Sequence, residues 1–89
     1  MVCREWRATE HRRVLKWLRR HRSYLRVYRD LWQAITGNPY SVGELLRGCG
    51  GLRKARKGEL RVLYQIDSRS CTVRIVAVGL RENIYEEYC

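Results

Sequence analysis

The stretch that decides the fold reads Glu59-Leu60-Arg61-Val62-Leu63-Tyr64-Gln65-Ile66-Asp67-Ser68-Arg69-Ser70-Cys71-Thr72-Val73-Arg74-Ile75-Val76-Ala77-Val78-Gly79-Leu80. From Glu59 to Asp67 its apolar residues recur with a period of two. Leu60, Val62, Tyr64 and Ile66 fall on one face, and Arg61, Leu63 and Gln65 on the other. Successive side chains of a strand point to opposite faces, so this is a strand with one face on a core. Asp67-Ser68-Arg69-Ser70 is a cluster of turn formers. Cys71–Leu80 then forms a second long strand, whose Ile75-Val76-Ala77-Val78 run is apolar on both faces, as a central strand should be. The segment is a hairpin at the middle of a sheet.

Working outward, Leu52–Lys57 reads as another strand, interrupted at Gly58. Ser41–Gly51 reads as a loop with one helical turn at Val42–Leu46. Gly48, Gly50 and Gly51 look like a phosphate cradle, but the Gly-Lys-Ser/Thr of a P-loop is missing, and a flexible turn is the plainer reading. Further upstream, His11, Val14, Leu15 and Leu18 repeat at helical spacing, with Thr9 as cap and an end near Arg20. Ser23 is a second cap candidate, before Leu25, Tyr28, Leu31, Trp32 and Ile35. Gly37-Asn38-Pro39 stops that helix. Val2, Arg4 and Trp6 alternate with Cys3, Glu5 and Arg7, which suits a short strand. The order β-α-α-β-β-β predicts one α+β domain over residues 1–89, a helical hairpin packed on an antiparallel sheet.

Charge is the dominant compositional feature. Nineteen Lys+Arg against nine Asp+Glu leave +10 on 89 residues, and sixteen of the nineteen are arginine. So much like charge in a small domain opposes compaction, and points to an anionic partner, with nucleic acid the default. The charge is uneven. Residues 1–29 carry +8, residues 30–46 carry −2, residues 47–61 carry +5, residues 62–81 carry +2 and residues 82–89 carry −3.

Other classes recede on composition. There is no run of 18 apolar residues, so no membrane helix is expected, and the first residues lack the apolar stretch of a signal peptide. Cys3, Cys49, Cys71 and Cys89 show no C-x-x-C spacing and lie away from His11 and His21, which disfavours zinc. Without a secretion signal, reduced thiols in a cytoplasmic protein are the expectation. The preference for Arg over Lys hints at a GC-rich or thermophilic source, and some thermophiles do oxidise intracellular cysteines. Catalytic carboxylate pairs are absent, and no metal or cofactor is expected.

What remains is arginine, lysine and tyrosine. Arg53, Lys54, Arg56 and Lys57 stud one strand, Arg61 sits on the next, Arg81 follows Gly79, and Tyr85 lies four residues on. Such a set suits metal-free RNA cleavage. The ribose 2′-hydroxyl is an internal nucleophile, and bidentate arginine donors can take up charge at phosphorus. From pattern alone Tyr85 reads as an aromatic packed at the sheet edge.

Residues 44–85 resemble the RelE/ParE superfamily of toxin–antitoxin toxins. The matching strings are Leu46-Arg47-Gly48, Leu52-Arg53-Lys54-Ala55-Arg56, Leu60-Arg61-Val62-Leu63-Tyr64-Gln65-Ile66-Asp67, Val76-Ala77-Val78-Gly79-Leu80-Arg81-Glu82 and Ile84-Tyr85. The resemblance implies the β-α-α-β-β-β fold already read from periodicity. It implies a RelE-type, ribosome-dependent endoribonuclease that cuts mRNA in the ribosomal A site. Arg61 would contact phosphate, Arg81 would stabilise charge and assist the leaving group, and Tyr85 would be the base for the 2′-hydroxyl. Lys54 would support the transition state. Leu52 stands where the family has a second strand lysine, and the segment from Arg81 to Tyr85 is short. Arg47, Arg53, Arg56 and Lys57 are the expected RNA-binding residues. The implied partners are an acidic RelB-like antitoxin, the ribosome and mRNA, with no membrane. The alternatives are a ParE-like inhibitor of DNA gyrase, whose branch generally lacks the Arg/Tyr set, and a non-catalytic RNA-binding module.

Overall fold

The computed structural model describes residues 2–89. Strand β1 (Arg7–Glu10) leads into helix α1 (Arg12–Arg20), a 3-10 turn (Arg22–Tyr24), helix α2 (Leu25–Gly37) and a single helical turn α3 (Pro39–Val42). Strands β2 (Glu44–Leu45), β3 (Arg53–Lys57), β4 (Leu60–Asp67) and β5 (Thr72–Gly79) follow, and a second 3-10 turn spans Ile84–Glu87.

The hairpin read from residues 59–80 is the centre of a five-stranded sheet of order β1-β5-β4-β3-β2. Its turn is held by Asp67, whose Oδ1 accepts from the amides of Arg69 at 3.1 Å and Ser70 at 3.4 Å. Leu63 pairs with Ala77, but the next residue, Tyr64, pairs with Ile75. Val76 is therefore a bulge, which turns Val76 and Ala77 to one face while Ile75 and Val78 keep the other. That is why the run is apolar on both sides.

The helices cover one face of the sheet. Val14 and Leu18 of α1 and Tyr28, Leu31 and Ile35 of α2, at three- and four-residue spacing, pack on Leu60, Val62, Tyr64, Val73 and Ile75. The Tyr28 hydroxyl donates to Glu10 in this layer. Burial first, then that bond and the carboxylate charge, push its ionisation well above the ordinary 10.0. Tyr64 is fully buried, and its hydroxyl donates to the Pro39 carbonyl at 2.7 Å. Gly43 lies against that ring, close enough that a Cβ there would sit 2.8 Å from Tyr64 Cε1. On the opposite sheet face a smaller core joins Leu52, Leu63, Ala77 and Ile84.

Several local expectations shift. The first strand begins at Arg7, not at Val2, and it pairs with β5 in parallel. The sheet is therefore mixed rather than antiparallel, with the two helices supplying the crossover a parallel pair requires. Because β1 takes Thr9 and Glu10, the cap of α1 moves to His11, whose Nδ1 accepts from the Arg13 amide at 3.1 Å. Ser23 lies within the 3-10 turn and caps nothing, since α2 has no side-chain cap bond. The helical turn expected at Val42–Leu46 falls at Pro39–Val42, with Pro39 at its first position. A proline loses nothing there, because that amide has no helical partner.

The cysteines are the largest correction. Reduced thiols were expected, yet Cys3 pairs with Cys71 and Cys49 with Cys89, so all four form disulfides. The pairs are 68 and 40 residues apart in sequence, with Cα atoms 5.5 and 4.7 Å apart. The parallel approach of β1 to β5 brings Cys3 to Cys71, and the final turn, packed on the smaller core, brings Cys89 to the glycine-rich loop. Among the described residues no helix is long and apolar enough to cross a membrane.

Candidate nucleic-acid interface and active site

The face of the sheet away from α1 and α2 carries the candidate site. Strands β3 and β4 join through Gly58, at φ 59°, and Glu59, and this two-residue turn sets Arg56 directly opposite Arg61. Opposed residues of a strand pair share a face, so Lys54, Arg56 and Arg61 face the same side. Like charges directly opposite each other repel. An anion placed between them would relieve that cost.

A cavity of about 340 Å³ is lined by Lys54, Arg56, Arg61, Glu82, Asn83 and Tyr85. Lys54 Nζ lies 5.2 Å from the centroid of the Tyr85 ring and 3.9 Å from Glu44 Oε1. Arg61 forms the floor. Its side chain is only 7% exposed, and Nη1 donates to the carbonyls of Glu59 at 2.8 Å and Leu80 at 2.6 Å. Its Nη2 lies 3.9 Å from Glu82 Oε1. The two carbonyl bonds fix the guanidinium plane, with Nη2 on the side of Glu82, itself a lining residue. Arg56 Nε donates to the Gly58 carbonyl at 2.8 Å, which folds this side chain back along the hairpin turn.

Tyr85 arrives on the 3-10 turn Ile84–Glu87. Ile84 plugs the smaller core beside Leu52, Leu63 and Ala77 and fixes the rotation of the turn. Gly79 makes room for it, since a Cβ there would stand 2.5 Å from Ile84 Cδ1. The short segment from Arg81 is thus long enough to seat Tyr85 beside Lys54. Leu52, in the place of a second lysine, is 2% exposed and part of this same small core. A charge at that position would be buried without a partner.

The expected set is not assembled whole. Lys54, Arg56, Arg61 and Tyr85 meet in one cavity. Arg81 does not line it; its side chain is 82% exposed and lies 3.7 Å from Glu87. Arg53 and Lys57 point to the helix side of β3, because they alternate with Lys54 and Arg56. Arg53 Nη2 donates to the carbonyls of Tyr40 at 2.9 Å and Gly43 at 2.8 Å, so its charge supports the α3–β2 corner. Lys57 Nζ pairs with Asp30 of α2 at 3.0 Å. Arg47 is exposed in the loop before β3 and lines no part of the cavity. The sequence reading missed Glu82 and Asn83 in the lining and Glu44 beside Lys54. The one signal for them was their place in the segment joining Arg81 to Tyr85 and in the strand preceding β3.

The fold has counterparts among solved structures. The chain superposes on a chain of the toxin–antitoxin complex RelBE2 from Mycobacterium tuberculosis with a TM-score of 0.75 and 28% identity, covering 86% of this chain and 99% of that one. It superposes on a chain of the archaeal RelE–RelB complex from Pyrococcus horikoshii with a TM-score of 0.70 and 20% identity, covering 88% and 97%. The chain has the RelE fold. No family model matches the sequence, and no curated protein matches it. Its neighbours of the RelE fold are toxins from toxin–antitoxin complexes. Within this RelE fold the cavity sits on the uncovered sheet face, between the β3–β4 hairpin and the final turn.

Proposed function

We propose that this chain is the toxin of a type II toxin–antitoxin pair and a ribosome-dependent endoribonuclease acting in the cytoplasm on mRNA in the ribosomal A site. The observation that carries the reading is the cavity that sets Tyr85 beside Lys54 above Arg56 and Arg61. The toxin assignment rests on the RelE–RelB neighbours. Phosphate would bind between Arg61 and Arg56, which stand opposite each other on β3 and β4 and both line the cavity. Tyr85 would accept the proton of the 2′-hydroxyl, and the 2′-oxygen would then attack phosphorus. The bond to the 5′-oxygen breaks, leaving a 2′,3′-cyclic phosphate, and the departing 5′-oxygen takes a proton from water to become the 5′-hydroxyl. Lys54, 5.2 Å from the Tyr85 ring, would favour the charge building at phosphorus. Arg81, whose side-chain partner among the described residues is Glu87 in an exposed ion pair worth about 0–1 kcal/mol, would swing from Glu87 to the leaving oxygen. Among the described residues no group of three His, Cys, Asp or Glu could hold a metal ion, and the reaction as written uses none.

The test is purified protein on programmed ribosomes, with 5′ ends mapped on the A-site codon. Cleavage should survive EDTA. Tyr85→Phe and Lys54→Ala should each lower kcat about 100-fold, the usual scale for losing a proton-transfer or charge-stabilising group. Their thermal midpoints should stay within a few degrees of the parent. Undiminished cleavage in Tyr85→Phe with Arg81→Ala overturns the site. Gyrase-dependent DNA breaks with intact mRNA would establish the ParE-like reading. RNA binding without cutting would establish the non-catalytic one.

An acidic, partly helical antitoxin of RelB type is the proposed protein partner. Charge complementarity to the +10 chain supports it, as do the complexes in which the neighbours occur.

A further inference from the structure

The turn that carries Tyr85 has little intrinsic stability. It is a four-residue 3-10 turn with i→i+3 backbone bonds, Ile84 to Arg81 at 3.3 Å, Glu86 to Asn83 at 3.0 Å and Tyr88 to Tyr85 at 3.1 Å. Such turns do not persist alone. Besides the Ile84 plug and the partial packing of Tyr85 and Tyr88 on the small core, it is held by loose contacts, Lys54 5.2 Å from the Tyr85 ring, Arg13 5.0 Å from the Tyr88 ring and Arg81 3.7 Å from Glu87, and by one covalent tie, the Cys49–Cys89 disulfide. Cys49 belongs to the loop in which Gly48, Gly50 and Gly51 all hold positive φ, and that loop leads directly into β3 and Lys54. The disulfide therefore clamps the turn bearing Tyr85 to the loop bearing the Lys54 strand, across the small core beside the cavity. Cys89 is exposed and Cys49 half-buried, so the bond is open to a thiol in solution. The Cys3–Cys71 bond lies at the other end of the sheet, beside the β4–β5 turn.

We propose that the Cys49–Cys89 disulfide is a redox-controlled positioning element for Tyr85: oxidised, it holds the Ile84–Glu87 turn against the Lys54 side of the cavity, and reduced, it lets that turn leave. The release is ordinary thiol–disulfide exchange with a dithiol reductant. One reductant thiolate attacks Cys89 Sγ and displaces the Cys49 thiolate. The second reductant thiolate closes its own disulfide and frees Cys89. The chain gains two electrons and two protons, and the dithiol is oxidised. The effect on RNA rests on the nuclease reading above; the movement of the turn does not.

The experiment compares the C3S/C71S variant, which keeps this one bond, before and after dithiothreitol, with C49S/C89S as the counterpart. Free-thiol titration should rise from zero to two in the first variant. Hydrogen exchange in residues 82–89 should then accelerate at least tenfold, with residues 72–79 within twofold. A-site cleavage should fall at least tenfold, and C49S/C89S should be fast-exchanging and weakly active under both conditions. If C3S/C71S does not fold, the same comparison is made on the wild-type chain, with alkylated cysteines mapped by mass. Unchanged exchange in residues 82–89 after two thiols appear overturns the proposal. So does faster exchange with undiminished cleavage. A chain that cuts nothing even when oxidised overturns the nuclease reading alone, and its exchange data still confirm or overturn the tether.

Discussion

Arg61 shows how a single side chain can tie two elements together and still line a cavity. Its Nη1 donates to two carbonyls, one in the hairpin turn and one just past β5, and its Nη2 lies near Glu82, which lines the cavity with it. Lysine could not reproduce this, since a point charge lacks the planar fork. Tyr28 is a residue-scale case with a pH signature. Burial beside Glu10 holds its proton in the folded chain well above pH 10, whereas the unfolded chain releases it near 10. The folded state therefore binds more protons there. The stabilisation is whole below pH 10 and is lost as pH rises beyond it, by up to about 1.4 kcal/mol per pH unit. Tyr28→Phe should cost about 1 kcal/mol at pH 7, the usual worth of a hydrogen bond. It should also flatten the alkaline fall. Urea unfolding at pH 7, 10 and 11 measures both.

At the scale of elements, the β3–β4 hairpin and the final turn make the site together. The hairpin contributes register: Gly58 takes the left-handed conformation that the tight turn requires, and Arg56 then opposes Arg61. The turn contributes Tyr85, and its seat depends on Gly79. Gly79→Ala would press a methyl against Ile84 Cδ1, in a pocket already filled by Leu52, Leu63 and Ala77. The expected cost is about 1–3 kcal/mol of overpacking. A larger proportional loss of cleavage should accompany it, because the turn moves with Ile84. Thermal unfolding and single-turnover cleavage of the one variant separate the two effects. Much at this scale was legible beforehand. The alternation of Leu60, Val62 and Tyr64 against Arg61 and Leu63 is a local property, and so is the 3.6-residue spacing of Leu31 and Ile35. The coincidence of Lys54, Arg56 and Arg61 on one face was not legible, because it hinges on how many residues the Gly58 turn spends.

For the whole molecule, charge and crosslinks oppose each other. A net +10 on 89 residues strains the compact state, and the two disulfides answer it by shortening the unfolded chain. On the chain-entropy view, loops of 68 and 40 residues are worth about 4 kcal/mol each. Full reduction should then lower the thermal midpoint by more than about 15 °C in a domain of this size. Calorimetry with and without dithiothreitol reads it. The +8 block of residues 1–29 lies largely on the exposed sides of α1 and α2, away from the cavity. Replacing Arg12, Arg19 and Arg26 with Gln should raise the KM for ribosomes and shrink its salt dependence, with kcat kept. Kinetics at two salt concentrations check this.

By itself the sequence determined the α+β order, the central hairpin, the two amphipathic helices and the RelE resemblance carried by Arg61, Arg81 and Tyr85. Each of these depends on neighbours two to four residues away, or on motif strings read in order. Only the tertiary structure decided that β1 joins β5 in parallel, that all four cysteines pair, and that Arg53 and Lys57 serve the helix side. It alone set Arg81 outside the cavity that holds Tyr85. Those outcomes join residues far apart along the chain, whose meeting is set by the packing of the whole sheet and not by any local period.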